Sequence, residues 1–192
     1  MMQDLILNPE KTALVVIDLQ KGVVDHINGK PHQNERVVEN SAKLAGAFRE
    51  KGALVTLVHV DFHDGKDALN PITDAPTQTP EGKPKNFSQF IPEFEPVEGD
   101  LIVTKHQWGA FFGTDLDVQL RRRGIDTIVL TGIATNIGVG VTAVEAYQRN
   151  YQQIFAIDAM NAISQEEHDY TKKYMFPRMG RIRKTEDILK AL

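Results

Sequence analysis

Five short runs of aliphatic and β-branched residues leave this 192-residue chain few folds to choose from. They are Thr12–Ile17, Ala53–Val58, Leu101–Val103, Thr127–Thr131 and Ile154–Ile157, with a weaker sixth run around Ile182. None alternates apolar with polar residues, so none has a side suited to water. Strands that are apolar on both faces belong to parallel sheets covered on both sides. Helical patterns separate the runs. Val37, Val38, Ser41, Leu44, Ala45 and Phe48 form one stripe, closed by Gly52. Thr114-Asp-Leu-Asp117 reads as a capping box leading to Leu116 and Leu120 and ending at Gly124. A third helix is expected from about Val139 to Asn150, and a last one from Thr185 with Ile188 and Leu189 as anchors. The class is α/β: a three-layer, doubly wound sheet of parallel strands with helices on both faces.

The chain fits one domain, residues 1–192. One stretch breaks the regular alternation. Six of the nine prolines (Pro71, Pro76, Pro80, Pro84, Pro92 and Pro96) fall between Asp61 and Gly99, which marks 61–99 as a lid or an interface segment. A net charge of −4 gives no electrostatic basis for binding nucleic acid or an acidic membrane surface. The basic run Arg121-Arg122-Arg123 closes a helix, where cations complement the dipole. There is no cysteine, which removes disulfides, thiolate ligands and thiol nucleophiles together. No basic-then-apolar leader opens the sequence and no apolar run reaches the ~18 residues of a membrane span, so a cytoplasmic protein is expected.

In a doubly wound sheet, ligands bind beyond the carboxyl ends of the strands, where the strand order reverses. That rule selects Asp18 at the end of the first run, Lys105 at the end of the third, and the turn Thr131–Gly138 after the fourth. A carboxylate, an amine and a helix-opening backbone turn therefore share one rim.

The ordered matches Ala13-Leu-Val-Val-Ile-Asp-Leu-Gln20, Lys105 with Gly109–Leu116, Gly124–Asn136, Thr142-Ala143 and Asp158–His168 cover nearly the whole chain. In these pieces it resembles the isochorismatase-like hydrolases, or cysteine hydrolase superfamily. The resemblance implies six parallel strands in the order 3-2-1-4-5-6 and a non-proline cis peptide between Ile133 and Ala134. It also implies a homo-oligomer, a dimer or tetramer, acting on a small molecule. The family triad is Asp, Lys and Cys, which assigns catalytic positions to Asp18, Lys105 and Gly138. Gln20, Ile133, Ala134, Thr135, Trp108 and Phe111 are the candidate oxyanion- or substrate-binding residues, and the amides of Ala134 and Gly138 would form the oxyanion hole.

Gly138 departs from the family, because glycine stands where the thiol would be. Thr135 and Thr142 carry hydroxyls nearby, but neither occupies that position, and acyl transfer is not expected. The true isochorismatases, a branch of the same family, also carry glycine there. They hydrolyse a vinyl ether, which needs a proton donor rather than a thiol. The expectation is thus a non-thiol hydrolase of isochorismate or a related small carboxylated substrate. Asp18 would be the general acid and Lys105 the electrostatic partner. Those isochorismatases have an aromatic residue and a histidine where this chain has Ala134-Thr135-Asn136, which implies a different pocket. The alternative is an inactive member that binds a small ligand or serves as an oligomeric scaffold.

Asp61-Phe-His63 follows the second run, where nicotinamidases hold zinc, but the next histidine is His106, beside Lys105. Two ligands are too few, and no metal is expected. No Gly-x-Gly-x-x-Gly segment follows a strand, so no organic cofactor is expected either. His168 matches a family position and reads as structural.

Overall fold

The computed structural model describes residues 5–74 and 84–192. Its centre is a six-stranded parallel sheet in the order β3-β2-β1-β4-β5-β6. The strands are β1 (Thr12–Ile17), β2 (Leu54–Val60), β3 (Leu101–Lys105), β4 (Thr127–Ile133), β5 (Gln152–Asn161) and β6 (Arg181–Arg183). All five pairings are parallel. Order and direction agree with the sequence reading. The strands differ from it mainly in length, running further into the rim that carries the polar residues.

Side-chain alternation along β1 shows why both faces had to be apolar. Leu14 and Val16 join one core with Val37, Leu44 and Phe48 of α2 (Asn34–Glu50) and Ile188 of α6 (Thr185–Ala191). Ala13, Val15 and Ile17 join a second core. There they meet Leu116 and Leu120 of α3 (Leu116–Arg122), and Val139, Ala143 and Ala146 of α4 (Gly138–Gln148). Two shorter helices, α1 (Lys21–Val24) and α5 (Gln165–Tyr170), lie near the rim.

The capping box expected at Thr114–Asp117 does not form. Thr114 Oγ1 accepts from the amide of Leu116 (3.2 Å), which starts the helix one residue inside the anticipated box. Asp117 instead accepts the Tyr151 hydroxyl (2.8 Å). A cross-element partner thus displaces the local one.

Pro76 and Pro80 of the 61–99 segment lie outside the described residues. Its second part is docked against the start of α1. The amides of Lys21 and Gly22 donate to the carbonyls of Gln89 and Phe87, and the Phe90 ring stacks on His59 at 4.8 Å. Gly22 is needed for this contact, because a Cβ there would lie 2.0 Å from the Phe87 ring.

Gly132 holds the two central strands together where the order reverses. Its φ is +119°, and a Cβ would sit 2.0 Å from the carbonyl oxygen of Ile17. Backbone cannot yield as a flexible side chain can. Gly132→Ala is therefore expected to cost more than about 2 kcal/mol in urea unfolding. A loss below about 0.5 kcal/mol would show that the β1–β4 contact is not this tight.

Candidate active site

Asp18 leaves β1 in the left-handed region, at φ 56°, with its amide bonded to the carbonyl of Val58 at 2.9 Å. This conformation is uncommon outside glycine, although Asp tolerates it better than most residues. It turns the carboxylate over the end of β2 towards β3. Lys105 reaches back from the end of β3, and Nζ meets Asp18 Oδ2 at 2.8 Å. Lys105 is 1% exposed and Asp18 7%.

The lysine has a second acceptor, the Trp108 carbonyl at 2.7 Å, which leaves one ammonium N–H uncommitted. The loop carrying that carbonyl is tied to α4. Phe111 N donates to Glu145 Oε2 (2.9 Å) and Ala110 N to Thr142 Oγ1 (3.1 Å), while the Thr142 hydroxyl donates to Gly138 O (2.6 Å).

The two carboxylate oxygens of Asp18 are not equivalent. Oδ2 takes the lysine, whereas Oδ1 is buried with no hydrogen-bond partner among the described residues. Burial pushes the Asp18 pKa above the ordinary carboxylate value; Lys105, and more weakly His59, oppose it. Desolvation therefore outweighs the ion pair.

The third component is the turn between β4 and α4. The Ile133–Ala134 peptide is cis, as the resemblance implied. The Ala134 carbonyl accepts from Ile137 N and Val139 N, both at 3.1 Å. The amides of Ala134 and Gly138 have no backbone partner among the described residues. Two N–H groups without a partner among the described residues, leading into an 11-residue helix, suit an anion. At Gly138 a Cβ would lie 2.9 Å from Asp18 Oδ2 and 3.0 Å from Ile17 Cγ2. A side chain there would press on the Asp18 carboxylate at the oxygen that holds Lys105.

The other sequence-selected residues divide. Ile133 packs its side chain into the α2-side core and offers only its backbone to the turn. Thr135 is fully buried, with its hydroxyl 2.9 Å from Nδ1 of His168. Gln20 is committed to the scaffold: its amide nitrogen donates to the carbonyls of Val60 (3.0 Å) and Phe87 (2.9 Å), and its oxygen accepts Val60 N (2.7 Å). Phe111 is core, tilted against Tyr151 at 5.5 Å. Trp108 contributes its carbonyl to Lys105, while its side chain remains 58% exposed.

Asp61 and His63 do not assemble a metal site. The Asp61 carbonyl accepts from His106 Nδ1 (2.6 Å), and the His63 amide donates to Asp67 (2.9 Å). Among the described residues no three His, Asp or Glu side chains are grouped to hold a cation. No helix among them is long and apolar enough to cross a membrane.

A buried Asp–Lys pair lies beside a helix-opening turn at the switch point of a 3-2-1-4-5-6 sheet, the place where doubly wound α/β proteins bind ligands. Residues 12–187 match the isochorismatase domain. The chain belongs to the isochorismatase-like hydrolase family. It is 55% identical over 190 residues to the uncharacterized isochorismatase family protein YwoC of Bacillus subtilis, covering 98% of each chain. Its fold is similar to that of an isochorismatase family protein from Burkholderia thailandensis, with a TM-score of 0.93, 46% identity and 99% of each chain covered. It is also similar to N-carbamoylsarcosine amidase from Thermoplasma acidophilum, with a TM-score of 0.71 and 30% identity over 92% of this chain and 97% of that one.

Removing the lysine should expose the cost of the buried carboxylate. Lys105→Met is expected to destabilise the fold by about 3–5 kcal/mol near neutral pH, the usual penalty for orphaning a buried charge. With its counter-ion gone, the Asp18 pKa rises further, so the penalty should shrink as pH falls and the carboxyl protonates. Urea unfolding of native and variant protein at pH 8 and pH 5 measures this. An equal loss at both values would mean that Asp18 does not carry the charge.

Proposed function

We propose that this protein hydrolyses the vinyl ether of isochorismate, or of a related small carboxylated substrate, with Asp18 as general acid and no covalent intermediate. The observation that carries this reading is the Asp18 carboxyl. Its pKa is raised by burial, Lys105 holds Oδ2, which lies on the side of Gly138, and Oδ1 has no hydrogen-bond partner among the described residues.

The roles follow from the atoms. Oδ2 stays with Lys105, so Oδ1 carries the proton. That proton passes to the terminal carbon of the enol ether, forming the methyl group and leaving an oxocarbenium at the neighbouring carbon. Water adds there and returns a proton to the Asp18 carboxylate. The hemiketal then collapses to pyruvate and a dihydrodiol, so one water is consumed and Asp18 is regenerated. The remaining Lys105 N–H and the free amides of Ala134 and Gly138 offset the charge of the substrate carboxylate.

Acyl transfer is disfavoured here although N-carbamoylsarcosine amidase shares the fold. An amidase of the cysteine hydrolase type needs a thiol, and this chain has no cysteine anywhere. Restoring a side chain should not recover such a site. Gly138→Ala is expected to lower kcat/KM at least tenfold, because its Cβ would crowd the 2.9 Å position beside Asp18 Oδ2. Unchanged activity in Gly138→Ala would refute the need for that space.

Pyruvate release from isochorismate, compared in native protein and Asp18→Asn, tests the reading. Release that falls by about 10²–10⁴-fold in the variant supports an acid role. No release from folded native protein removes isochorismate as substrate and favours a pocket that only binds. The pH profile supplies a second check. The active form is the protonated one, so kcat/KM should hold at low pH and decline as pH rises through a value above the ordinary carboxylate range. A profile that instead gains activity as a group deprotonates there would make Asp18 a base.

A further inference from the structure

The reaction scheme gives no role to His168, a histidine only 1% exposed on α5. Its position is nonetheless tightly specified. Ser164 caps α5 by accepting the amide of Glu167 (3.2 Å), and Glu167 Oε2 accepts the amide of Ser164 (2.9 Å). One turn further on, Thr171 Oγ1 donates to the Glu167 carbonyl (2.9 Å). The His32 ring packs edge-on against His168, with centroids 6.3 Å apart. The His32 backbone is itself held by Asn161, through bonds of 2.9 and 3.0 Å to its amide and carbonyl. All of this converges on one contact, His168 Nδ1 to Thr135 Oγ1 at 2.9 Å.

Thr135 follows the cis peptide directly. Its amide donates to the carbonyl of Asn161 at 2.7 Å, and its own carbonyl lies so close to α4 that a Cβ at Gly140 would meet it at 2.9 Å. The outer side of the turn is thus tied at the Thr135 amide and hydroxyl, with its carbonyl packed close against α4. Its inner side leaves the Ala134 and Gly138 amides without a backbone partner among the described residues. Free amides bind an anion well only when their directions are fixed before the ligand arrives.

We propose that His168 is a positioning residue for this turn: through Thr135 it aims the Ala134 and Gly138 amides at the anionic part of the substrate. The proposal rests on reading the turn as anion-binding, and it is independent of whether Asp18 turns substrate over.

The hydrogen-bond polarity follows from the partners. The Thr135 hydroxyl has no other acceptor among the described residues, so it donates and Nδ1 accepts. The ring proton then sits on Nε2. Neutral imidazole is the form this requires, and burial supplies it by pushing the His168 pKa down to about 4. His32 and Lys172 reinforce the lowering, whereas Asp169 opposes it.

Thr135→Val removes the hydroxyl at constant shape, and Thr135→Ser restores it. Benzoate, a cyclic carboxylate that cannot be hydrolysed, is the probe. Thr135→Val should weaken benzoate binding about tenfold, the equivalent of one neutral hydrogen bond, and speed hydrogen exchange at the Ala134 and Gly138 amides. Thr135→Ser should return both to within about threefold of native. If isochorismate is a substrate, the same order should appear in KM more than in kcat. Nitrogen NMR of the native protein should show His168 protonated on Nε2 alone. The proposal is overturned if folded Thr135→Val loses thermal stability with benzoate affinity and amide exchange unchanged. It is equally overturned if Nδ1 carries the proton, or if native protein shows no saturable benzoate binding. Failure to hydrolyse isochorismate with the benzoate series intact would remove the proposed reaction and leave the positioning role standing.

Discussion

The Asp18–Lys105 pair is the constraint around which the carboxyl-end rim is organised. Two buried charges cost several kcal/mol each in lost hydration, and one contact does not return that. The fold therefore gathers help from separate elements. β2 lies between β1 and β3, so the pair must bridge an intervening strand, and the left-handed backbone at Asp18 supplies the reach. The Trp108 carbonyl gives the ammonium a second acceptor. That carbonyl is in place because Glu145 and Thr142 pin its loop to α4. Since Thr142 also binds the carbonyl of Gly138, the lysine and the start of α4 share one support.

Gly138 belongs to the same economy of space. With a side chain there, the carboxylate and the start of α4 would compete for one position, at the 2.9 Å separation from Oδ2. Oδ1 has no hydrogen-bond partner among the described residues, and an unpartnered buried carboxylate oxygen favours the protonated state.

The architecture was legible in the sequence because burial on both faces leaves an unambiguous mark. The runs at Thr12–Ile17 and Thr127–Thr131 could be little else, and residues ending such runs fall on one rim by topology alone. Asp18 and Lys105 were found that way. The Ile133–Ala134 cis peptide came from the family resemblance and from no local pattern. What stayed hidden were hydrogen bonds between distant segments. Gln20 sits two residues from Asp18 and read as a site residue, yet its amide ties Val60 to Phe87. Thr135 read as substrate-facing, yet its hydroxyl belongs to His168, 33 residues away. Phe111 read as a candidate substrate-binding residue, yet its ring is buried and packs against Tyr151. At Thr114–Asp117 the local capping pattern lost because Tyr151 offered Asp117 a better partner.

The scaffold bonds of these residues bear on the raised pKa of Asp18. A carboxyl 2.8 Å from a lysine would ordinarily be held ionised, so its raised pKa needs water to be scarce around it. The walls that exclude water come from far along the chain. Gln20 closes the gap between the ends of β1 and β2 and fastens the strap at Phe87, with Gly22 making room for that ring. His59 stacks on Phe90 and bonds Ser88 O through Nδ1 (2.7 Å) and Thr104 Oγ1 through Nε2 (2.8 Å), which holds the strap against β3. None of these residues need touch a substrate to matter. Their contribution runs through packing: the described part of the 61–99 segment is fastened to the strand ends beside the Asp18 carboxyl.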